Sequence, residues 1–467
     1  MVSPSIEKYR EEIVSGPILS TMLKLGLPLM LTDIIMLAYN LTDAYWLSRY
    51  STYALAVPRQ TWPIFLVFVS ILIGITNANL AILSQYVGAK LYNKVSETTS
   101  KLFTLCLSIS FVLFIVYEIV KYHIFAYLIK VPTEILHDVL EYAKIIALDV
   151  IGFGIGASLS TIMQSFGDTR TPATVMGIGA LLNAILDPIF IVGIGPISSM
   201  GAKGAAIATV ITRLFSGTIL FSLIKMRYPE VKIRFVYSID KEWVLTSLKV
   251  GVPVIIMTIA DGFAFTFQQA LVNTFGVIAT TTFTIGFMVM DIANAVLRGF
   301  TMSISIMIGQ CLGAGDAGRA RKIALTAAHT IMAVVFTGAT LVFIGRSYLI
   351  SIFTADPAVL IEAEKLIATI SWILPLMMLS FLGMSVGRGS GHTIVPTIVN
   401  ITRFWIIRIG IGWLLAVASG MGITGIWTAI ALSEILGGTV SHTWIKKGKW
   451  TKPIIKHQQL APLTKQN

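Results

Sequence analysis

The chain has 467 residues, 55% of them hydrophobic and 12% charged, where a soluble domain carries about 25% charged residues; its mean hydropathy is +0.82. An ordinary soluble protein is excluded, and so is a β-barrel: the apolar stretches run to roughly 20 residues or more, enough to cross about 30 Å of hydrocarbon as helices, rather than alternating over ~10 residues. The net charge of +12 sits in loops between apolar stretches with no basic domain, which argues against nucleic acid as a partner and for membrane orientation.

Residues 1–17 hold Glu7, Glu11 and Glu12 and read as a cytoplasmic segment, not a signal peptide. Spans are expected at 18–48, 55–83, 98–120, 136–165, 172–194, 202–225, 244–274, 280–310, 322–345, 359–387, 395–417 and 422–445. An even number returns both termini to one side. With that side cytoplasmic, it collects 23 Lys and Arg against 8 opposite, and Arg213, Arg298, Arg403 and Arg408 fall inside spans. This bias predicts a multi-pass protein of the cell membrane with both termini cytoplasmic. Residues 226–243 form a charged linker and 446–467 a tail. Cys106 and Cys311 lack metal-ligand spacing and read as small core residues.

The two halves repeat. Leu23-Lys24-Leu25-Gly26-Leu27-Pro28 matches Leu248-Lys249-Val250-Gly251-Val252-Pro253, and Gln85-Tyr86-Val87-Gly88-Ala89 matches Gln310-Cys311-Leu312-Gly313-Ala314, both at an offset of 225. Gly167 and Pro172 match Gly391 and Pro396 one residue closer. The expected fold is therefore all-α, with twelve transmembrane helices in two six-helix bundles, 18–225 and 244–445, related by a pseudo-two-fold axis along the bilayer normal. Two such lobes on one linker can rock about a central cleft, which favours a transporter over a channel or an enzyme.

Ionisable groups inside spans are costly, by ~2.5–3.5 kcal/mol, and each needs a reason. In the first span Tyr39, Asn40 and Asp43 share a helical face; in the fifth, Asn183 lies one turn before Asp187, and Pro188 loosens the helix there. Two buried carboxylates beside amide and phenol groups suit a proton or Na⁺ site, because burial disfavours the charged form. A polar pair that simply ties helices together is the plainer alternative. The repeat mate of Asp43 is Gln268, so this acidic pattern belongs to the first lobe. The second lobe has Asp261, Asp291, Arg298, Arg403, Arg408 and Glu434, read first as pairing among themselves, Asp291 and Arg298 being two turns apart, with Asp261 or Asp291 as an alternative cation site. Pro28 and Pro253 permit kinks early in the first helix of each lobe. The 18 Met and 24 Phe suit varied lipophilic cations, though most such residues pack helices or face lipid.

No Walker motif, metal-ligand motif or catalytic triad is visible, so neither an enzyme nor a cofactor is expected, and an ion gradient is the expected energy source. The segments Asn40-Leu41-Thr42-Asp43, Ser84-Gln85-Tyr86-Val87-Gly88-Ala89, Gln164-Ser165-Phe166-Gly167-Asp168-Thr169-Arg170-Thr171-Pro172 and Asn183-Ala184-Ile185-Leu186-Asp187-Pro188 resemble the MATE (multidrug and toxic compound extrusion) family, and most closely its archaeal DinF-like branch. The likeness spans residues 1–445. It implies efflux of lipophilic or cationic compounds in exchange for H⁺ or Na⁺, with Tyr39, Asp43, Asn183 and Asp187 as cation and substrate residues and Pro28 as the flexing point. NorM-type members use a glutamate in the seventh helix, where this chain has Gln268 and Gln269. A lipid or lipid-linked oligosaccharide flippase of the same superfamily is the alternative, with Arg403 and Arg408 as its phosphate ligands. Beyond small molecules and membrane lipids no partner is expected, and the chain reads as a monomer.

Overall fold

The computed structural model describes residues 4–455, excepting the side chains of residues 4, 5, 52, 289 and 291–296; the candidate Asp291 lies outside the described residues. The first bundle holds α1 (Pro4–Ser15), α2 (Ile18–Tyr50), α3 (Thr52–Gly88), α4 (Tyr92–His123), α5 (Thr133–Phe166), α6 (Arg170–Asp187) and α7 (Ala202–Arg227). The second holds α8 (Lys241–Asn273), α9 (Val277–Gly313), α10 (Ala317–Ile344), the short α11 (Arg346–Ser351), α12 (Pro357–Ser390), α13 (Ile394–Ile401) and α14 (Ile423–Lys447). Eleven helical segments among the described residues have the length and composition to cross a membrane; α9, with 37 residues, is the twelfth. The surface agrees: Leu31, Leu41, Leu181, Ile185, Ile406 and Trp413 are exposed apolar side chains along these helices, as a lipid-facing surface requires.

The most specific sequence motif builds a turn. Gly167 ends α5 in the left-handed region at φ +98° and Gly391 ends α12 at φ +80°, the conformation a glycine adopts without a steric cost. Asp168 then caps the next helix. Its carboxylate accepts from the Thr171 backbone N–H (3.0 Å) and hydroxyl (2.7 Å), and from the Tyr228 hydroxyl (2.9 Å).

The pseudo-two-fold relation shows at single atoms. The Gln310 side-chain amide donates to the Ser165 carbonyl (2.8 Å), and that of Gln85 donates to the Ser390 carbonyl (3.3 Å). Gly88 lies against the Gln310 carbonyl and Gly313 against that of Gln85. Further contacts between the bundles, Gly26 with Phe300, Gly74 with Ile255 and Gly299 with Met30, lie toward the same end. The bundles therefore close where both termini lie.

The terminal segments brace this end. In α1, Arg10 donates to the Gly88 carbonyl (2.9 Å), while Arg319 of α10 donates to the carbonyls of Ile13 (3.1 Å) and Gly16. From the other terminus, the Ile454 backbone N–H donates to Gln85 Oε1 (2.9 Å). The side chains of Tyr9 and Ile13 pack on Gly167, and Ile454 packs on the repeat-related Gly391. The linker is fastened too. Ser96, Ser100 and Thr104, spaced one turn apart on α4, hold the backbone of Lys232, Arg234 and Val236.

Candidate functional site

Four helices of the first bundle converge on the predicted residues. Helix α2 carries Tyr39 and Asp43, and α6 carries Asn183 and Asp187. Pro188 has no N–H to continue the α-helical ladder, and the chain runs on as a wider π-helical turn over Pro188–Gly193. The Asp43 and Asp187 carboxyls meet within hydrogen-bonding reach of each other. Asn183 and Asp187 are fully buried and Asp43 is half-buried. The Asn183 amide reaches Asp187 without closing a well-formed hydrogen bond. Both Asp187 oxygens and Asp43 Oδ1 are buried with no hydrogen-bond partner among the described residues. Unsatisfied carboxyl oxygens this deep are expensive, and a shared proton or a small cation would satisfy them.

Tyr39 donates to or accepts from the Thr209 hydroxyl of α7 (2.6 Å). It also stands within electrostatic reach of Asp43 on one side and of Arg213 and Asp149 on the other. Asn40 is exposed rather than joined to this cluster.

A cavity of about 230 Å³ opens between α2, α5, α6 and α7, walled by Met36, Tyr39, Phe153, Met176, Thr209 and Arg213 among others. Two residues near this cavity were missed in the sequence. Asp149 of α5 is 2% exposed, and its Oδ1 lies 2.6 Å from Arg213 Nε of α7. Asp149 was visible as an acidic residue in the middle of an apolar span, which was the signal available. Tyr142, half-buried, lies within electrostatic reach of Asp43, Asp149 and Asp187.

The second bundle differs. Gln268 is fully buried with both amide atoms unpartnered among the described residues. The Asn400 amide donates to Asp261 (2.6 Å), and Arg403 donates to the Asn400 oxygen (3.3 Å). Arg403 also donates to Glu434 (2.8 Å), and Arg408 pairs with the other Glu434 oxygen. Charge pairing thus runs through Glu434, and Arg298, the partner expected for Asp291, is exposed and stands within electrostatic reach of Asp33. The two arginines converge because Thr402–Ile411 is π-helical. Residues five apart lie near one face of a π-helix but well apart around an α-helix.

Comparisons agree with this architecture. The sequence profile of the MatE family matches residues 28–189 and 253–414, two segments displaced by the 225 residues of the internal repeat. The chain is 26% identical to the "Probable multidrug resistance protein NorM" of Thermotoga maritima, over 92% of this chain and 93% of that protein. It is 29% identical to the FAD transporter of Shewanella oneidensis, over 76% and 78%. A crystal structure of MATE in the bent conformation superposes with a TM-score of 0.87 at 18% identity, over 96% of this chain and 97% of that one. With a repeated six-helix bundle, a pseudo-two-fold interface and a family profile matched once in each half, the chain belongs to the MATE family of transporters.

Proposed function

We propose that this protein exports organic compounds by antiport with H⁺ or Na⁺, and that Asp43 and Asp187 form the cation site with Asn183 and Tyr39 beside it. The observation that carries this reading is the contact between two carboxyls in the first bundle whose buried oxygens lack partners among the described residues. Two like charges side by side cannot both stay ionised without a proton or cation between them. Loading and unloading that position changes the charge inside the bundle, which biases the packing of α2 against α6.

In this scheme the lobes 18–225 and 244–445 rock about the linker 226–243, with the termini in the cytoplasm. The state described above is then closed to the cytoplasm and faces outward. Pro28, inside α2, lies between the closed end and Asp43 and is the natural bending point. Asn40, Gln268 and Asp261 are secondary candidates for substrate contact. The flippase alternative loses its phosphate ligands, because Glu434 occupies both Arg403 and Arg408.

The test is efflux of fluorescent organic compounds, cationic and anionic, from proteoliposomes under an imposed pH or Na⁺ gradient. Asp43→Asn and Asp187→Asn each abolish gradient-driven efflux in protein that remains folded and inserted. Wild-type efflux by either variant would defeat the scheme.

A further inference from the structure

The cavity in the first bundle has a charge that does not suit a cationic substrate. Among its lining residues Arg213 carries the only formal charge; Asp43, Asp187 and Asp149 are not part of its wall. Asp149 approaches Arg213 at Nε, from behind. The two terminal guanidinium nitrogens have no hydrogen-bond partner among the described residues, and the side chain keeps 27% of its surface open. The Phe153 ring lies 5.7 Å from the guanidinium carbon, and the Tyr39 and Thr209 hydroxyls stand on the same wall.

We propose that this cavity binds aromatic anions, carboxylates or sulfonates, with Arg213 as the residue that recognises their charge. The assignment rests on the export reading and refines its substrate class. A guanidinium presents paired donors that match a carboxylate or sulfonate edge. A cation in the same place meets a like charge in a medium of low dielectric, where repulsion is strong. Phe153, Met36 and Met176 offer aromatic and thioether surface to a ring system. Asp149 holds the guanidinium in position and, by sharing its charge, keeps an anion from binding too tightly to be released.

The test compares two fused-ring probes of matched size, naphthalene-1-sulfonate and N-methylquinolinium, binding to the purified full-length protein in nanodiscs. Wild-type protein binds the sulfonate more tightly than the cation. Removing the guanidinium alone leaves a lone buried carboxylate and endangers folding, so the decisive variant is the double substitution Arg213→Gln with Asp149→Asn. It weakens sulfonate binding about tenfold or more, a loss measurable as a shift in Kd. Asp149→Asn alone frees the guanidinium and tightens sulfonate binding. Equal sulfonate binding by wild type and the double variant, or wild-type preference for the cation, overturns the proposal. Gradient-driven flux is measured on the same preparations. Sulfonate binding without gradient-driven movement would sink the export reading and leave the role of Arg213 standing.

Discussion

Gly88 rests on the carbonyl of Gln310 so closely that a β-carbon there would sit 1.9 Å from the oxygen. Gly313 meets the Gln85 carbonyl at the same distance. One hydrogen in place of a methyl at each position is what lets the bundles touch. Gly88→Ala or Gly313→Ala is expected to cost the closed end about 1–3 kcal/mol through overpacking, and to favour opening there. Cys311 is a native reporter, buried beside the Ile13 carbonyl at this end. Thiol labelling of Cys311 rises in both variants, while Cys106, buried inside the first bundle, stays protected.

The carboxyl pair predicts opposite effects on stability and activity. The double variant Asp43→Asn with Asp187→Asn removes two mutually repelling groups whose buried oxygens lack partners among the described residues. Its thermal unfolding in detergent is expected at the wild-type temperature or a few degrees above it, although gradient-driven efflux is lost. A large drop in Tm would mean that the pair is a structural tie between α2 and α6.

Glu434 has the reverse signature. Glu434→Gln leaves Arg403 and Arg408, each 2% exposed, without their counter-charge, and is expected to cost about 3–5 kcal/mol. Replacing all three residues with apolar side chains of similar volume recovers most of that loss. Thermal unfolding of the single and triple variants checks both statements.

The linker junction responds to acid. Burial pushes the Asp240 carboxyl up, but hydrogen bonds from Lys101 and the Trp243 N–H outweigh it and leave Asp240 below its ordinary value of 3.8. A lowered folded-state pKa gives stability that is present above that ordinary value and lost as pH falls through the folded one. Proteolytic nicking of the linker is therefore expected to accelerate below about pH 4. Asp240→Asn keeps an oxygen to cap α8 but carries no charge, so its nicking rate is higher at neutral pH and nearly flat across that range.

The twelve spans and the repeat were legible because each rests on local signals, a long apolar run or a short matched string. The matched strings proved to be interface and turn residues: Gln85, Gly88, Gly167 and their mates meet across the pseudo-two-fold or end helices. Contact between Asp43 and Asp187 was also foreseeable, since each stands one turn from a polar neighbour in an otherwise apolar helix. The Asp149–Arg213 pair was not. Its members sit singly on α5 and α7, and nothing in either local pattern shows that those helices face each other at that height. Pairing among the second-bundle charges was expected, but its convergence on Glu434 was hidden for a different reason. Spacing rules for an α-helix put Arg403 and Arg408 on different faces, and the wider turns of α13's continuation bring them together.

The hydroxyl ladder on α4 has a consequence for the joint between the halves. With Lys232, Arg234 and Val236 clasped to Ser96, Ser100 and Thr104, and Asp240 anchored by Lys101, most of the tether travels as cargo of the first half. The slack left for swivelling is the short run around Tyr237, whose ring stands fully in the open. A polypeptide severed at that point would keep each of these three clasps on its amino-terminal piece, so two separately made halves should find each other without a covalent leash.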